Sequence, residues 1–185
     1  GKYPMQISLN GRAAIITGGS KGLGLAMAKA FVQAGGNVAL VARGAEALAH
    51  AEAELRDAAP TAKVVAIACD IRTVEGCEQA YAGAVRALGQ VDILVNNAGT
   101  SQRGPFLEVT DALWQDDLDL KLFAAIRLSR LVLPGMKERA WGRIINVLNI
   151  GAKAPKAAST PTSVSRAAGM ALTKALANEF APHNV

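Results

Sequence analysis

Along the chain, short apolar runs rich in β-branched residues alternate with longer Ala-rich stretches of helical periodicity. The runs at 12–17 (RAAIIT), 37–42 (NVALVA), 63–69 (KVVAIAC), 91–95 (VDILV) and 142–148 (GRIINVL) predict five strands. Between them fall predicted helices at 22–34, 45–58 and 73–88, a long helix opening at Thr110 and Asp111, and a last helix over 159–181. Thr73 stands where an N-cap belongs and Gly89 where a helix stops, while Pro60 and Pro182 punctuate. Strands that are apolar on both faces imply a parallel sheet covered on both sides. Right-handed crossovers then wind the chain around both faces of that sheet. The expected fold class is α/β, a doubly wound parallel sheet, in one domain without internal repeats or a linker.

Composition narrows the class further. With 185 residues, 51% of them hydrophobic, the chain has material for one buried core. Charged residues make up 19% and no long tract is purely polar, which excludes disorder as the main state. No apolar run approaches the ~18 residues of a membrane-spanning helix, so no membrane partner is expected. A net charge of +5 invites comparison with nucleic-acid binders. The basic residues are scattered, however, and 4% aromatics leave too few rings for base stacking, so no nucleic-acid partner is expected. The charge reads as solvated surface with a mild preference for anionic ligands. Two cysteines (Cys69, Cys77) and two isolated histidines (His50, His183) make neither a disulfide framework nor a metal site. No metal is expected, and a reducing cytoplasm is the expected setting.

The first strand runs into Thr17-Gly18-Gly19-Ser20-Lys21-Gly22-Leu23-Gly24. A tight strand-to-helix turn built of glycines lets backbone approach a pyrophosphate, and the amides opening the helix bind the anion. Strand before, helix after and a βαβ unit around it are the context that this motif requires. Gly18, Ser20, Lys21, Gly22, Leu23 and Gly24 are therefore candidate cofactor-binding residues in a Rossmann-type sheet. The second strand ends Leu40-Val41-Ala42-Arg43, with no acid before Glu46. An acid there would bind a ribose 2′-hydroxyl, whereas Arg43 and Lys21 suit a 2′-phosphate, so the expected cofactor is NADP. The dinucleotide-binding form of the sheet has six parallel strands and five are counted here, so the chain reads as truncated before the sixth. Residues 1–4 read as a tag remnant ahead of Met5, and 5–185 as the dinucleotide-binding domain.

These features, with Asn96-Asn97-Ala98-Gly99 after the fourth strand, Asp70-Ile71 after the third and Gly142-Arg143-Ile144-Ile145-Asn146, resemble the short-chain dehydrogenase/reductase family over essentially the whole chain. The resemblance implies that Asp70 and Ile71 lie at the adenine and that Asn97, Ala98 and Gly99 line the cofactor. It also implies an active site of Asn, Ser, Tyr and Lys. In that site tyrosine donates a proton, lysine lowers its pKa and holds the ribose, serine orients the carbonyl and asparagine supports a relay. All four positions are changed: Thr162 stands for the tyrosine, Arg166 for the lysine, Asn149 for the serine and Lys121 for the asparagine. Threonine is too weak an acid to copy tyrosine, and Arg166 holds its proton.

Losing a general acid costs ~10²–10⁴ in rate, whereas positioning a hydride donor contributes roughly 7–11 kcal/mol and depends on the cofactor cradle. The substitutions therefore point to altered chemistry. Arg166 keeps the ribose contact, Asn149 donates to a substrate oxygen, and water or Lys121 supplies the proton. Lys121, Lys153, Lys156 and Arg166 on the substrate side favour an anionic small-molecule substrate, with solvated loop lysines as the equal alternative. The resemblance further implies a homodimer or homotetramer built on the two late helices. There Ala167, Ala168, Gly169 and Ala171 suit close packing, and core packing explains them equally. The expected function is an NADP(H)-dependent oxidoreductase moving hydride to or from a small carbonyl, alcohol or activated alkene. The alternative is an NADP(H)-binding sensor or partner subunit without turnover.

Overall fold

The computed structural model describes residues 8–148 and 155–185. Its centre is a parallel sheet of β1 (Ala13–Thr17), β2 (Asn37–Ala42), β3 (Val64–Ala68), β4 (Ile93–Asn96) and β5 (Arg143–Asn146), in the spatial order β3-β2-β1-β4-β5. Helices α1 (Gly22–Gln33), α2 (Ala45–Ala58) and α3 (Val74–Leu88) connect the early strands. Next come α4 (Asp111–Leu118), a π turn at Asp119–Phe123, α5 (Ala124–Glu138) and, after β5, α6 (Thr162–Phe180).

The two-sided apolar character of the strands has the predicted consequence. Ile15 of β1 is in register with Ala39 of β2 and Leu94 of β4, and all three join the core under α3 and α5. Their neighbours Ile16, Leu40 and Val95 point to the opposite face and pack with Ala28 of α1 and Leu48 of α2. Alternate side chains thus feed two separate cores, as a strand of period two must when both faces are covered.

Helix ends follow the sequence signals. The Thr73 hydroxyl accepts from the Gly76 amide and Thr110 accepts from the Leu113 amide, so both cap their helices. Gly89 closes α3 at φ +89°, a conformation that favours glycine. Two details differ from the sequence reading. The long fourth helix is interrupted by the π turn, so it is two helices with five residues between them. The last helix begins at Thr162 rather than at 159, because Thr160 and Pro161 pair with Arg103 and Gly104 in a short antiparallel ladder. A residue preceding proline is disfavoured in helical geometry, which keeps Thr160 extended.

Strand order reverses at β1: β2 and β3 lie to one side, β4 and β5 to the other. Ligands of such sheets bind beyond the carboxyl ends of the strands at this switch point. Among the described residues no helix is long and apolar enough to cross a membrane.

Candidate functional site

At the end of β1 the chain turns tightly into α1. A Cβ added at Gly24 would lie 2.1 Å from the Gly18 carbonyl oxygen and 2.8 Å from Asn97 Nδ2, so the helix meets the turn at backbone distance. Lys21 is the N-cap residue of α1 and offers no side-chain hydrogen bond, which leaves the first amides of the helix for an anion. Lys21, Gly22 and Leu23 are exposed on this rim, Ser20 is half-buried, and Arg43 is exposed where β2 ends. The residues present therefore fit a dinucleotide phosphate.

Beside the turn, Thr17 ties β1 to β4. Its buried hydroxyl donates to the Val95 carbonyl and accepts from the amides of Asn97 (2.9 Å) and Ala98 (3.1 Å). Asn96 Nδ2 donates to Asn146 Oδ1 at 2.8 Å, and Asn146 Nδ2 to Thr173 Oγ1 at 2.9 Å, joining β4, β5 and α6. Above these residues opens a cavity of about 460 Å³ at the switch point. Of the residues expected at the site, Ile71, Asn97, Ala98, Gly99, Lys121 and Arg166 line it.

The changed positions are tied together. Lys121 Nζ donates to Thr162 Oγ1 at 3.0 Å. That hydroxyl also accepts from the Gln102 amide at 2.8 Å and donates to the Gln102 carbonyl at 2.6 Å. Thr162 is fully buried with its single proton committed to a carbonyl. Lys121 itself rests on Gly99: φ there is +125°, and a Cβ would lie 2.9 Å from Lys121 Cγ. Arg166 forms no ion pair among the described residues. Lys156 is exposed and does not line the cavity. Asn149 and Lys153 lie outside the described residues.

One participant escaped the sequence reading. Asp117, one turn before Lys121, has a side chain with no solvent exposure, and its Oδ1 is 2.5 Å from Lys121 Nζ. Its sequence signal was an acid four residues ahead of a lysine on a helix, a spacing usually found on solvated faces. Ser165 also lines the cavity; its hydroxyl donates to the Thr162 carbonyl at 3.1 Å. Cys69 and Cys77 are free and buried, and burial pushes both thiols up to about 11, away from nucleophilic chemistry.

Asp70 sits where β3 leads into α3, and Arg72 Nε and Nη2 both donate to it while Nη1 reaches Asp116 of α4. The Arg72 hydrogen bond is the main reason that the Asp70 carboxyl is held below its usual range. Its contribution to stability is present above the ordinary carboxylate range and is lost as pH falls through the lowered value. The side chain is 36% exposed, so the expected loss is small, about 0.2–1 kcal/mol. Melting curves of the protein and of Asp70→Asn between about pH 5 and pH 3 measure it, and parallel curves would refute it.

A doubly wound sheet with a glycine turn, an uncapped first helix and a cavity at the switch point defines a dinucleotide-binding α/β domain. The chain belongs to the short chain dehydrogenase family, which it matches over residues 12–185. It is 33% identical over 173 residues to the ketoacyl reductase HetN of Nostoc sp., covering 94% of this chain and 60% of that protein. Among solved structures it is similar to L-sorbose reductase of Gluconobacter frateurii complexed with NADPH and L-sorbose. The TM-score is 0.93 at 37% identity, over 97% of this chain and 68% of that one. A second is an NADPH-bound short chain oxidoreductase of Pseudomonas aeruginosa PAO1, described as containing an atypical catalytic center. There the TM-score is 0.90 at 38% identity, over 96% of this chain and 69% of that one. The chain spans a little under two thirds of the length of the first curated relatives, 64% and 63%.

Proposed function

We propose that the protein is an NADP(H)-dependent oxidoreductase acting on a small carbonyl, alcohol or activated alkene, with Lys121 as its proton donor. The observation that carries this reading is the position of Lys121. Its side chain lines the cavity at the switch point, and its ammonium group is held by Thr162 and Asp117. NADP(H), when bound, supplies or takes up the hydride. Gly18, Ser20, Gly22, Leu23 and Gly24 hold its pyrophosphate side, Asp70 and Ile71 its adenine, and Asn97, Ala98 and Gly99 line its path. Lys21, at the N-cap of α1, and Arg43, where β2 ends, are both exposed cations and take the 2′-phosphate. The NADPH complexes of the Gluconobacter and Pseudomonas structures support that choice of cofactor.

On the substrate side, Lys121 delivers the proton to the substrate oxygen and solvent restores it. Thr162, saturated by Gln102, positions Lys121 and keeps its own proton. Arg166 carries the ribose contact, and Asn149 donates to the substrate oxygen. Among the described residues the expected anionic substrate preference rests on Arg166, since Lys121 has Asp117 beside it and Lys156 is outside the cavity. Exposed Ala167 and Ala171, one turn apart on α6, support a homodimer or homotetramer. Gly169 instead packs inward, where a Cβ would meet Leu148 at 2.9 Å. Two free, buried cysteines accord with a cytoplasmic setting.

The test follows NADPH oxidation against neutral ketones, keto acids, acyl-CoA esters and activated alkenes, with NADPH binding recorded in the same samples. Turnover with one class supports the enzyme. Saturable NADPH binding with no turnover in any class supports the sensor or partner-subunit reading instead. Failure to bind either nicotinamide cofactor overturns both.

A further inference from the structure

Asp117 is a carboxylate with no exposed side-chain surface, and Lys121, 16% exposed, is its one polar partner among the described residues. Neither carboxylate oxygen receives a well-directed hydrogen bond, although Oδ1 lies 2.5 Å from Lys121 Nζ. A buried charge in that condition is costly unless its neighbour compensates it. Asp117 is also the one buried residue of α4, so it does not belong to an apolar stripe that packs this helix. Lys121 follows it by one turn, inside the π segment, where the widened helix commonly marks functional positions. Lys121 Nζ gives one hydrogen bond, to Thr162 Oγ1, and Asp117 Oδ1 stands beside the nitrogen as its counter-ion. The Lys121 side chain lines the cavity, so the pair borders it.

We infer that Asp117 is the positioning residue of the substrate side: it cancels the charge of Lys121 and aims it, so that Lys121 meets a ligand as a hydrogen-bond donor and not as an anion-binding cation. Among the described residues, Arg166 is then the positive charge on the lining that has no ion-pair partner. The charge preference of the pocket is therefore set by a residue that touches no ligand. This inference rests on the reading of the cavity as the substrate site, but it does not require that the protein turn anything over.

The experiment uses acetate and acetamide, which match in shape and differ by one charge. Each is titrated into the protein by calorimetry, with and without NADPH. Asp117→Asn exposes the ligand to an uncompensated Lys121, so acetate affinity is expected to rise about ten- to a hundredfold, the range that a charge at this distance commands at a protein surface. Acetamide affinity should stay within about twofold on the same Coulomb argument, since a neutral probe meets no net charge. Lys121→Met has the opposite sign: Asp117 then lies unpaired behind the cavity wall, and acetate binds more weakly than in the unmodified protein. The double replacement Asp117→Leu with Lys121→Met removes both charges and returns acetate close to its original affinity. These last two variants read the same charge if Asp117→Asn fails to fold. Acetate affinity unchanged in folded Asp117→Asn, or equal in Lys121→Met and the double variant, overturns the inference. Absence of turnover with every carbonyl compound would sink the proposed activity and leave this result standing.

Discussion

Gly24→Ala is expected to weaken NADPH binding by more than tenfold and to destabilise the fold by about 1–3 kcal/mol, the usual range for overpacking. The added methyl carbon would stand 2.1 Å from a backbone oxygen, that of Gly18, and 2.8 Å from Asn97 Nδ2. A flexible side chain could swing aside, but a carbonyl fixed in the turn that leaves β1 moves only if the turn opens. The same movement displaces the amides proposed to hold the phosphates. A matched control is Gly104→Ala, where the new carbon meets Val109 Cγ2 at an ordinary 3.6 Å. Fluorescence titration with NADPH and a denaturant melt measure the two effects. Affinity in Gly24→Ala equal to that of Gly104→Ala would show that the turn is not the phosphate cradle.

Lys121→Met should lower the turnover rate by ~10²–10⁴, the contribution of a positioned general acid. It should also lower stability, because it leaves the Asp117 carboxylate buried without a partner. Breaking a buried pair costs roughly 3–5 kcal/mol, and the partial exposure of Lys121 places this case toward the lower end. Pairing the change with Asp117→Leu restores stability without restoring the rate. NADPH affinity should be held throughout, since neither residue belongs to the glycine turn. A rate in Lys121→Met within about threefold of the unmodified enzyme would remove Lys121 from the proton transfer and point to water.

The sheet was legible because its physics is redundant. Ile15, Ile16, Leu40 and Leu94 sit in runs too apolar for any surface, and glycines, threonine caps and prolines mark where each run ends. The glycine turn was legible for a related reason: Gly18 and Gly24 touch at backbone distance, and that contact excludes every other residue type. The π turn was not legible. Asp119-Leu120-Lys121-Leu122-Phe123 holds no glycine or proline, and its composition suits an ordinary helix. Asp117 was missed because acidic residues are almost never buried unless paired, so Gln115-Asp116-Asp117 reads as a solvated surface. Thr162 and Arg166 were placed by spacing, yet spacing alone did not tell that the Thr162 proton is already spent on Gln102. The start of α6 moved because Thr160 and Pro161 had a partner in Arg103 and Gly104, far away in sequence.

The π turn has a consequence for how this site varies among proteins built on the same frame. In an uninterrupted α-helix each residue advances the phase by a fixed ~100°, so adding a residue to α4 would rotate the core contacts of α5 with it. A wider turn between them takes up one residue more than α geometry allows. The stripe Ala124, Leu128, Val132 and Met136 can then keep its seat against the sheet whatever the preceding turn presents to the cavity. The joint lets the phase of the polar face of α4 be set separately from the apolar seat of α5.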